Sequence, residues 1–244
     1  ENLKKGMAVL DCGSNIGFYP LLEAHILQGE GSIHAFEPDI RNFKMLKKNI
    51  ELCPFGEMIK PYNMAASNKS GVEKMHVVEE SNLNKLFSEN DDEFKIRHKI
   101  NDTVDVETIT VDEFCSRENI KLDFLRMDIE GYEVEVVEGM KETIKSARKG
   151  LMILLELHPN AYSEKRSFAF QLEKLFKHGF SAKVVISAGV PIPTTFSKYG
   201  YKPIKQIEDG NFTRGWYENI NSDHVIELTC SKPKSSRYIL LQKN

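Results

Sequence analysis

Acidic side chains and one histidine follow the apolar segments of this chain, at the points where buried strands would end. Because the carboxyl ends of parallel strands meet at one edge of a sheet, these side chains are expected to share a ligand-binding crevice. Carboxylates accept hydrogen bonds from hydroxyl and ammonium groups, and a neutral imidazole can accept a proton. The residues concerned are Asp11, Glu37, Asp128, Glu130, Glu156 and His158.

The first of these residues, Asp11, ends an unbroken apolar run typical of a strand that is buried on both faces. Gly13 and Gly17 flank the turn that follows, and apolar residues with helical spacing come next. Strand, loop and helix in this order place backbone N–H groups at a ligand-binding edge. An acidic strand end repels a pyrophosphate but can accept hydrogen bonds from the ammonium group of S-adenosylmethionine. The alternative is an ordinary turn in which Asp11 caps the helix.

Glu37 closes the second apolar segment, and the following Pro38 keeps its backbone extended. A carboxylate at this point can accept hydrogen bonds from both hydroxyls of an adenosine ribose. The dinucleotide pattern G-x-G-x-x-G is not met, because Asn15 and Phe18 stand where it would need glycines. The sequence therefore favours an adenosine ligand without a pyrophosphate.

The third apolar segment, 58–66, contains a proline and is therefore predicted to be an edge strand. Asn63, Met64 and Ala65 lie near its end and would border an adenine ring, unless they only pack in the core. Residues 79–101 are polar and weakly patterned, which predicts a mobile flap.

Two later stretches, LDFLRMDIEGYE and LMILLELHP, carry paired chemical groups at strand ends. Asp128 and Glu130 are two residues apart and would point to the same side of a strand. Glu156 and His158 have the same spacing at the end of the next strand.

The remainder of the chain is predicted to complete the sheet. Its predicted elements are helices over 134–144 and 163–178 and strands over 182–187, 225–230 and 237–242. Residues 188–223 hold prolines, glycines and most of the later aromatic residues. This insertion is predicted to be a substrate cap, and a decorated β-hairpin is the alternative.

Length and composition favour one α/β domain over residues 1–244. The chain has 244 residues and a formal net charge of -3, with basic and acidic residues interleaved, so nucleic acid is not an expected partner.

The four cysteines are far apart and suggest neither a metal site nor a disulfide framework. No long apolar run or leader is found, so we expect a cytoplasmic protein without a membrane span. A first residue Glu1 directly before a buried strand suggests a piece of a longer chain.

Several motifs together resemble the FkbM family of S-adenosylmethionine-dependent methyltransferases. They are DCGSNIG at 11–17, FEP at 36–38, AASNKSG at 65–71, MDIEGYE at 127–133 and LELHP at 155–159. The resemblance implies a class I methyltransferase fold, a Rossmann-like, seven-stranded, mostly parallel sheet with helices on both faces and an antiparallel last strand. It also implies that the strand ending in Asp128 lies between those ending in Asp11 and Glu156.

The resemblance also implies positions for the cofactor. The loop would surround the methionine part, Glu37 would bind the ribose, and Asp128 would lie near the transferred methyl group. The predicted cofactor-binding residues are Asp11, Gly13, Ser14, Asn15, Gly17, Glu37, Asn63, Ala65 and Asp128.

Similarity to this family implies methylation of a hydroxyl on a sugar, glycan, lipid or natural product. A hydroxyl needs help to lose its proton near neutral pH, and Asp128, Glu130, Glu156 and His158 are the predicted catalytic set. His158 as general base is favoured over a divalent ion held by this set. The third possibility is that Glu130 and Glu156 only accept loop N–H groups while His158 packs.

Two other classes of function remain open from the sequence. An oxidoreductase that uses NAD could have a similar sheet, although the glycines it would need are missing. A non-catalytic module could bind a partner through the aromatic segment 196–217. The sequence names neither the methyl acceptor nor the oligomeric state.

Overall fold

The computed structural model describes residues 2–77, 85–86, 103–189, 194–210, 212–230 and 236–244. The chain divides into two compact units, Glu1–Thr143 and Ile144–Asn244. The predicted single domain over 1–244 stays a prediction, and the predicted flap at 79–101 lies outside the described residues apart from 85–86.

Unit 1 contains a parallel sheet, a second smaller sheet and the helices between their strands. Its strands are β1 (Ala8–Cys12), β2 (Ser32–Phe36), β3 (Ile59–Tyr62), β4 (Ala65–Ala66), β5 (Gly71–His76), β6 (Lys85–Leu86), β7 (Thr103–Ile109) and β8 (Phe124–Met127). Its helices are α1 (Phe18–Leu27), α2 (Ile40–Glu51), α3 (Val111–Arg117) and α4 (Glu133–Glu138), with a 3-10 turn at Gly56–Met58, and α5 (Lys141–Lys145) contains the boundary between the units.

The parallel strands of unit 1 follow the order β8, β1, β2, β3, and each pairs with its neighbour in parallel register. Their apolar side chains explain this arrangement, because Leu10, Ile33 and Leu125 are fully buried, as expected for strands covered on both faces. The predictions that β1 neighbours β8 and that the third strand lies at the edge are confirmed. The smaller sheet has the order β4, β7, β5, β6.

Unit 2 is built on antiparallel strands. Its elements are β9 (Met152–Glu156), α6 (Phe168–Lys177), β10 (Phe180–Ser187), α7 (Thr194–Lys198), β11 (Lys205–Asp209), β12 (Phe212–Tyr217), α8 (Ser222–Cys230) and β13 (Ser236–Lys243), with a 3-10 turn at Pro159–Ala161. Strand β13 lies antiparallel between β9 and β10, which confirms the antiparallel last strand. The hairpin of β11 and β12 continues the sheet beyond β10.

The α/β class is confirmed, whereas the predicted count of seven strands is wrong. Over the described residues, unit 1 contributes four parallel strands and unit 2 contributes five strands. The two strands beyond the predicted seven are β11 and β12, which form within the predicted insertion 188–223. The insertion is therefore a hairpin with an added helix over its described residues, and its role as a substrate cap stays a prediction.

One predicted strand, 225–230, is also wrong, because these residues form the greater part of helix α8. Val225, Leu228 and Thr229 are buried at helical spacing, and the Thr229 hydroxyl donates to the carbonyl oxygen of Val225 at 2.6 Å. Burial of one face in unit 2 thus outweighs the strand preference of a β-branched run. No helix within the described ranges could span a membrane, because none combines the necessary length with sufficient hydrophobicity.

Candidate functional site

The loop after β1 approaches the end of β8 closely. Gly13 has a φ of +81°, and a Cβ there would overlap the carbonyl oxygen of Asp128. Gly17 has a φ of +101° and is the N-cap of α1, with Leu46 packed against its Cα. Asn15 adopts a φ of 50°, so the loop has repeated left-handed backbone. Both glycines are thus required by geometry, as the sequence predicted for a ligand loop.

Asp11 lies beneath this loop and is fully buried. Its Oδ1 accepts from Arg126 at 2.8 Å, and its Oδ2 accepts from the Ser14 hydroxyl at 3.0 Å. The parallel register of β1 and β8 places Asp11 directly beside Arg126. Asp11 therefore organises the loop from below, and its full burial separates its carboxylate from solvent. Its predicted contact with the cofactor stays a prediction.

Arg126 is a functional candidate that the sequence did not indicate. Its Nη2 donates to Asp128 Oδ2 at 2.9 Å, and its Nη1 approaches the carbonyl oxygen of Gly13 at 3.5 Å. The guanidinium lies 3.5 Å from the centre of the Tyr19 ring. Arg126 lies beside Asp11 only because β1 and β8 pair in this register. Neither sequence stretch alone therefore predicts the contact between the two residues.

Glu23, on the buried face of α1, is a second candidate that was missed. It is 4% exposed, and its Oε2 has no hydrogen-bond partner within the described residues. Burial, followed by the negative charge of Asp11, raises the pKa of Glu23 well above its ordinary range, and Arg126 lowers it. Its buried position therefore disfavours the charged carboxylate relative to an exposed glutamate.

Glu37 stands at the end of β2 with its carboxylate held in a fixed orientation. Its Oε2 accepts from the backbone N–H of Asn15 at 2.8 Å, and its Oε1 accepts from that of Asp39 at 2.9 Å. Asn63 donates to the carbonyl oxygens of Glu37 and Pro38, at 2.9 and 3.0 Å. The Asn42 side chain also hydrogen-bonds to this carboxylate. Three donors thus fix its orientation, and the acceptor capacity that remains suits recognition of a hydroxyl.

The titration of Glu37 gives a test of this environment. Burial raises the pKa of Glu37 to about 7, although hydrogen bonds from Asp39 and Asn15 oppose the shift. The folded protein then binds a proton that the unfolded chain releases above pH 4.5, so stability falls as pH rises from about 4.5 to about 7. We expect this residue alone to lower the free energy of unfolding by up to about 3 kcal/mol over that range.

Urea denaturation at several pH values would measure the effect, with Glu37→Gln as the comparison. The variant should lose the corresponding part of the slope, whatever its stability at any single pH. Parallel curves for the two proteins would contradict the raised pKa.

A cavity of about 510 Å³ lies next to the segment that follows Glu37. Its lining is largely apolar and comes from the segments after β2 and β3 and from β5, β7 and Val77; it includes Pro38, Ile40, Asn63, Met75 and Val106. Ala65 is buried in β4 and pairs with Thr108, so it does not line this cavity. Of the three residues predicted to border an adenine, Asn63 lines this cavity, whereas Met64 and Ala65 do not.

The turn after β8 holds two of the predicted catalytic acids. Asp128 keeps a side chain that is 28% exposed, while Arg126 occupies its Oδ2. Glu130 has a φ of 53° and Gly131 a φ of 97°, so the turn is left-handed over two residues. The backbone N–H of Gly131 donates to the carboxylate of Glu133, which is fully buried. Glu133 is therefore an acceptor for the backbone of this turn.

Motif residues around this turn hold it against the second sheet. Tyr132 donates to Glu73 Oε2 at 2.6 Å, and the Ser67 hydroxyl donates to Glu73 Oε1 at 3.0 Å. A Cβ on Gly139 would overlap the carbonyl oxygen of Ser67. The AASNKSG and GYE motifs thus have a structural explanation in the packing of unit 1.

The other two predicted catalytic residues belong to unit 2. Glu156 is 7% exposed and pairs with Arg237, whose Nη2 lies 2.7 Å from its Oε1. His158 is half-buried, and its backbone N–H donates to the Tyr162 hydroxyl at 3.1 Å. The predicted convergence of these side chains with Asp128 stays a prediction.

Comparison with known proteins decides the family. The sequence profile of the Methyltransferase FkbM domain matches residues 11–182, from Asp11 through the strand that follows α6. The chain belongs to the FkbM methyltransferase family. This FkbM chain is 24% identical over 159 residues to hexuronic acid methyltransferase AglP of Haloferax volcanii, which covers 65% of the chain and 59% of that protein. The oxidoreductase alternative therefore has no support.

A solved FkbM methyltransferase has the same fold. The structure from Methylobacillus flagellatus KT superposes with a TM-score of 0.52 at 13% identity, over 88% of this chain and 44% of that one. The FkbM chain thus spans less than two thirds of each of these relatives. The predicted family and fold class are confirmed.

Proposed function

We propose that this chain transfers a methyl group from S-adenosylmethionine to a hydroxyl of a sugar-containing acceptor. The observation that carries the proposal is the Glu37 carboxylate, oriented by two backbone N–H groups beside the glycine loop of an FkbM domain. The name of the AglP relative, a hexuronic acid methyltransferase, supports a sugar as acceptor. Lipids and natural products with hydroxyl groups are the other acceptors to compare.

The residues around the glycine loop of unit 1 suit the binding of S-adenosylmethionine. The acceptor capacity that remains on Glu37 suits a ribose hydroxyl. The neighbouring cavity has both apolar and charged lining, and its apolar residues Pro38 and Ile40 suit an adenine. Gly13 and Gly17 let the left-handed loop pack closely against Asp128 and Leu46, which holds its backbone N–H groups at the end of β1. When bound, the cofactor would supply a methyl carbon that the acceptor oxygen attacks in line, forming an O–C bond while the C–S bond breaks and S-adenosylhomocysteine leaves.

The protein's own contribution would be to orient the two reactants and to remove a proton. Glu37 would hold the ribose, and the partly exposed Asp128 would lie near the cationic part of the cofactor. His158 would accept the proton of the acceptor hydroxyl, because a neutral imidazole is the side chain best suited to that transfer near pH 7.

The experiment that tests the function uses S-adenosylmethionine with a deuterated methyl group. The chain is incubated with hexuronic acids, neutral sugars, glycans, lipids and small alcohols, and mass spectrometry follows the label. Labelled hexuronic acid or glycan is the expected result. A chain that binds the cofactor but labels no member of the panel would favour the non-catalytic alternative.

Replacing His158 with alanine is expected to lower kcat about a hundredfold or more, because general base catalysis contributes about that factor. The affinity for S-adenosylhomocysteine should stay within about twofold of wild type, as calorimetry would show. His178→Ala is the matched control, because His178 is an exposed histidine of the same unit. Retained turnover would remove the base assignment, and loss of turnover on chelation would favour the metal alternative.

A further inference from the structure

Arg126 is a buried cation that joins three parts of unit 1. It is 4% exposed, and its guanidinium contacts β1 through Asp11, the loop through Gly13 and the end of its own strand through Asp128. The ring of Tyr19 covers the guanidinium at 3.5 Å. An arginine can form this bridge because its fork offers several donors in one rigid plane.

The two carboxylates held by Arg126 differ in what they can still do. Asp11 is fully buried, and donors from Arg126 and Ser14 occupy both of its oxygens. Asp128 has a 28% exposed side chain, and Arg126 contacts its Oδ2. A ligand that approaches from solvent would therefore contact the Asp128 carboxylate, whose orientation is fixed by its hydrogen bond to Arg126.

The charges of this cluster do not cancel. Arg126 contributes one positive charge, and Asp11 and Asp128 contribute one negative charge each. Glu23 lies close enough for the charges of Asp11 and Arg126 to act on it, and burial raises its pKa well above the ordinary range. Its buried Oε2 has no hydrogen-bond partner within the described residues. The carboxylates thus outweigh the single cation, and the resulting negative charge matches a ligand group with a positive charge.

We propose that Arg126 is the positioning residue for the amino-acid end of the cofactor, acting by fixing Asp128 and the Gly13 loop for the ammonium group. This inference rests on the proposed function, because it takes S-adenosylmethionine as the ligand. Arg126 itself stays covered by Tyr19 and acts through its two partners. A lysine at this position keeps the charge but lacks the fork that reaches both.

The test compares two ligands that differ only in the proposed contact region. S-adenosylhomocysteine has the amino-acid end, whereas 5′-methylthioadenosine has the same adenosine and sulfur without it. Calorimetry would measure the affinity of each ligand for wild type, for Arg126→Lys and for Arg117→Lys. Arg117 is a matched control in the same unit, because its side chain is 42% exposed and pairs with the neighbouring Glu118.

In Arg126→Lys, we expect the affinity for S-adenosylhomocysteine to fall about tenfold or more, because a charged hydrogen bond is misplaced. The affinity for 5′-methylthioadenosine should stay within about twofold, and Arg117→Lys should change neither. Equal losses for both ligands, or no loss for either, would overturn the positioning role. A wild-type chain that binds neither ligand would overturn the proposed function as well, so the two failures are distinguishable.

Discussion

Glu37→Ala is expected to lower the affinity for S-adenosylhomocysteine about tenfold or more. The hydrogen bond from the ribose to a charged acceptor would be lost, which contributes about 1.5 to 3 kcal/mol. The backbone N–H groups of Asn15 and Asp39, which now donate to this carboxylate, would also lose their acceptor. Calorimetry with the purified chain would measure the change.

The pattern over ligands separates this variant from Arg126→Lys. Because Glu37 is proposed to bind the ribose, 5′-methylthioadenosine should lose affinity as strongly as S-adenosylhomocysteine does. Glu57→Ala is the matched control, since Glu57 is an exposed glutamate of the same unit. An affinity within threefold of wild type would exclude Glu37 from the ribose site.

Gly13→Ala should destabilise unit 1 by at least about 3 kcal/mol and abolish cofactor binding. The substitution adds left-handed strain of about 1 to 2 kcal/mol, and the new Cβ would also collide with the carbonyl oxygen of Asp128. That oxygen belongs to the backbone at the end of β8, so it cannot move away as a flexible side chain would. Urea denaturation would measure the loss of stability.

Gly6→Ala isolates the strain from the collision. Gly6 has a φ of +86°, close to that of Gly13, but a Cβ there would meet no atom within 4 Å. This control should cost only about 1 kcal/mol and leave binding intact. Equal costs for the two variants would show that the approach of the loop to β8 is unimportant.

Residues that act within one continuous stretch could be predicted from the sequence. Asp11 and Glu37 stand at strand ends as expected, and Asp39 caps α2 by accepting from the N–H groups of Arg41 and Asn42. Such signals depend on local spacing, which the folded chain preserves. They were enough to predict the α/β class and the glycine loop.

Residues whose role depends on pairing between distant segments could not be predicted in the same way. Arg126 interrupts an apolar strand and gives no local sign that it meets Asp11. Glu23 lies on a helix whose apolar residues Phe18 and Leu22 are exposed, so its burial opposes the expected pattern. The register of β1 and β8 places Arg126 beside Asp11. Glu23 is buried because it lies on the side of α1 that faces the core.

The Glu73 network ties the local stability of the site to that of the second sheet. Ser67 and Tyr132 both donate to this one carboxylate, and burial raises the pKa of Tyr132 so that its hydroxyl remains a donor. An opening fluctuation that pulls β5 away from the turn after β8 would break these bonds in a single event. Amide protons of β5 and of the Asp128 turn would then exchange with a common opening free energy. The second sheet thus limits how long the Asp128 end of β8 keeps its shape.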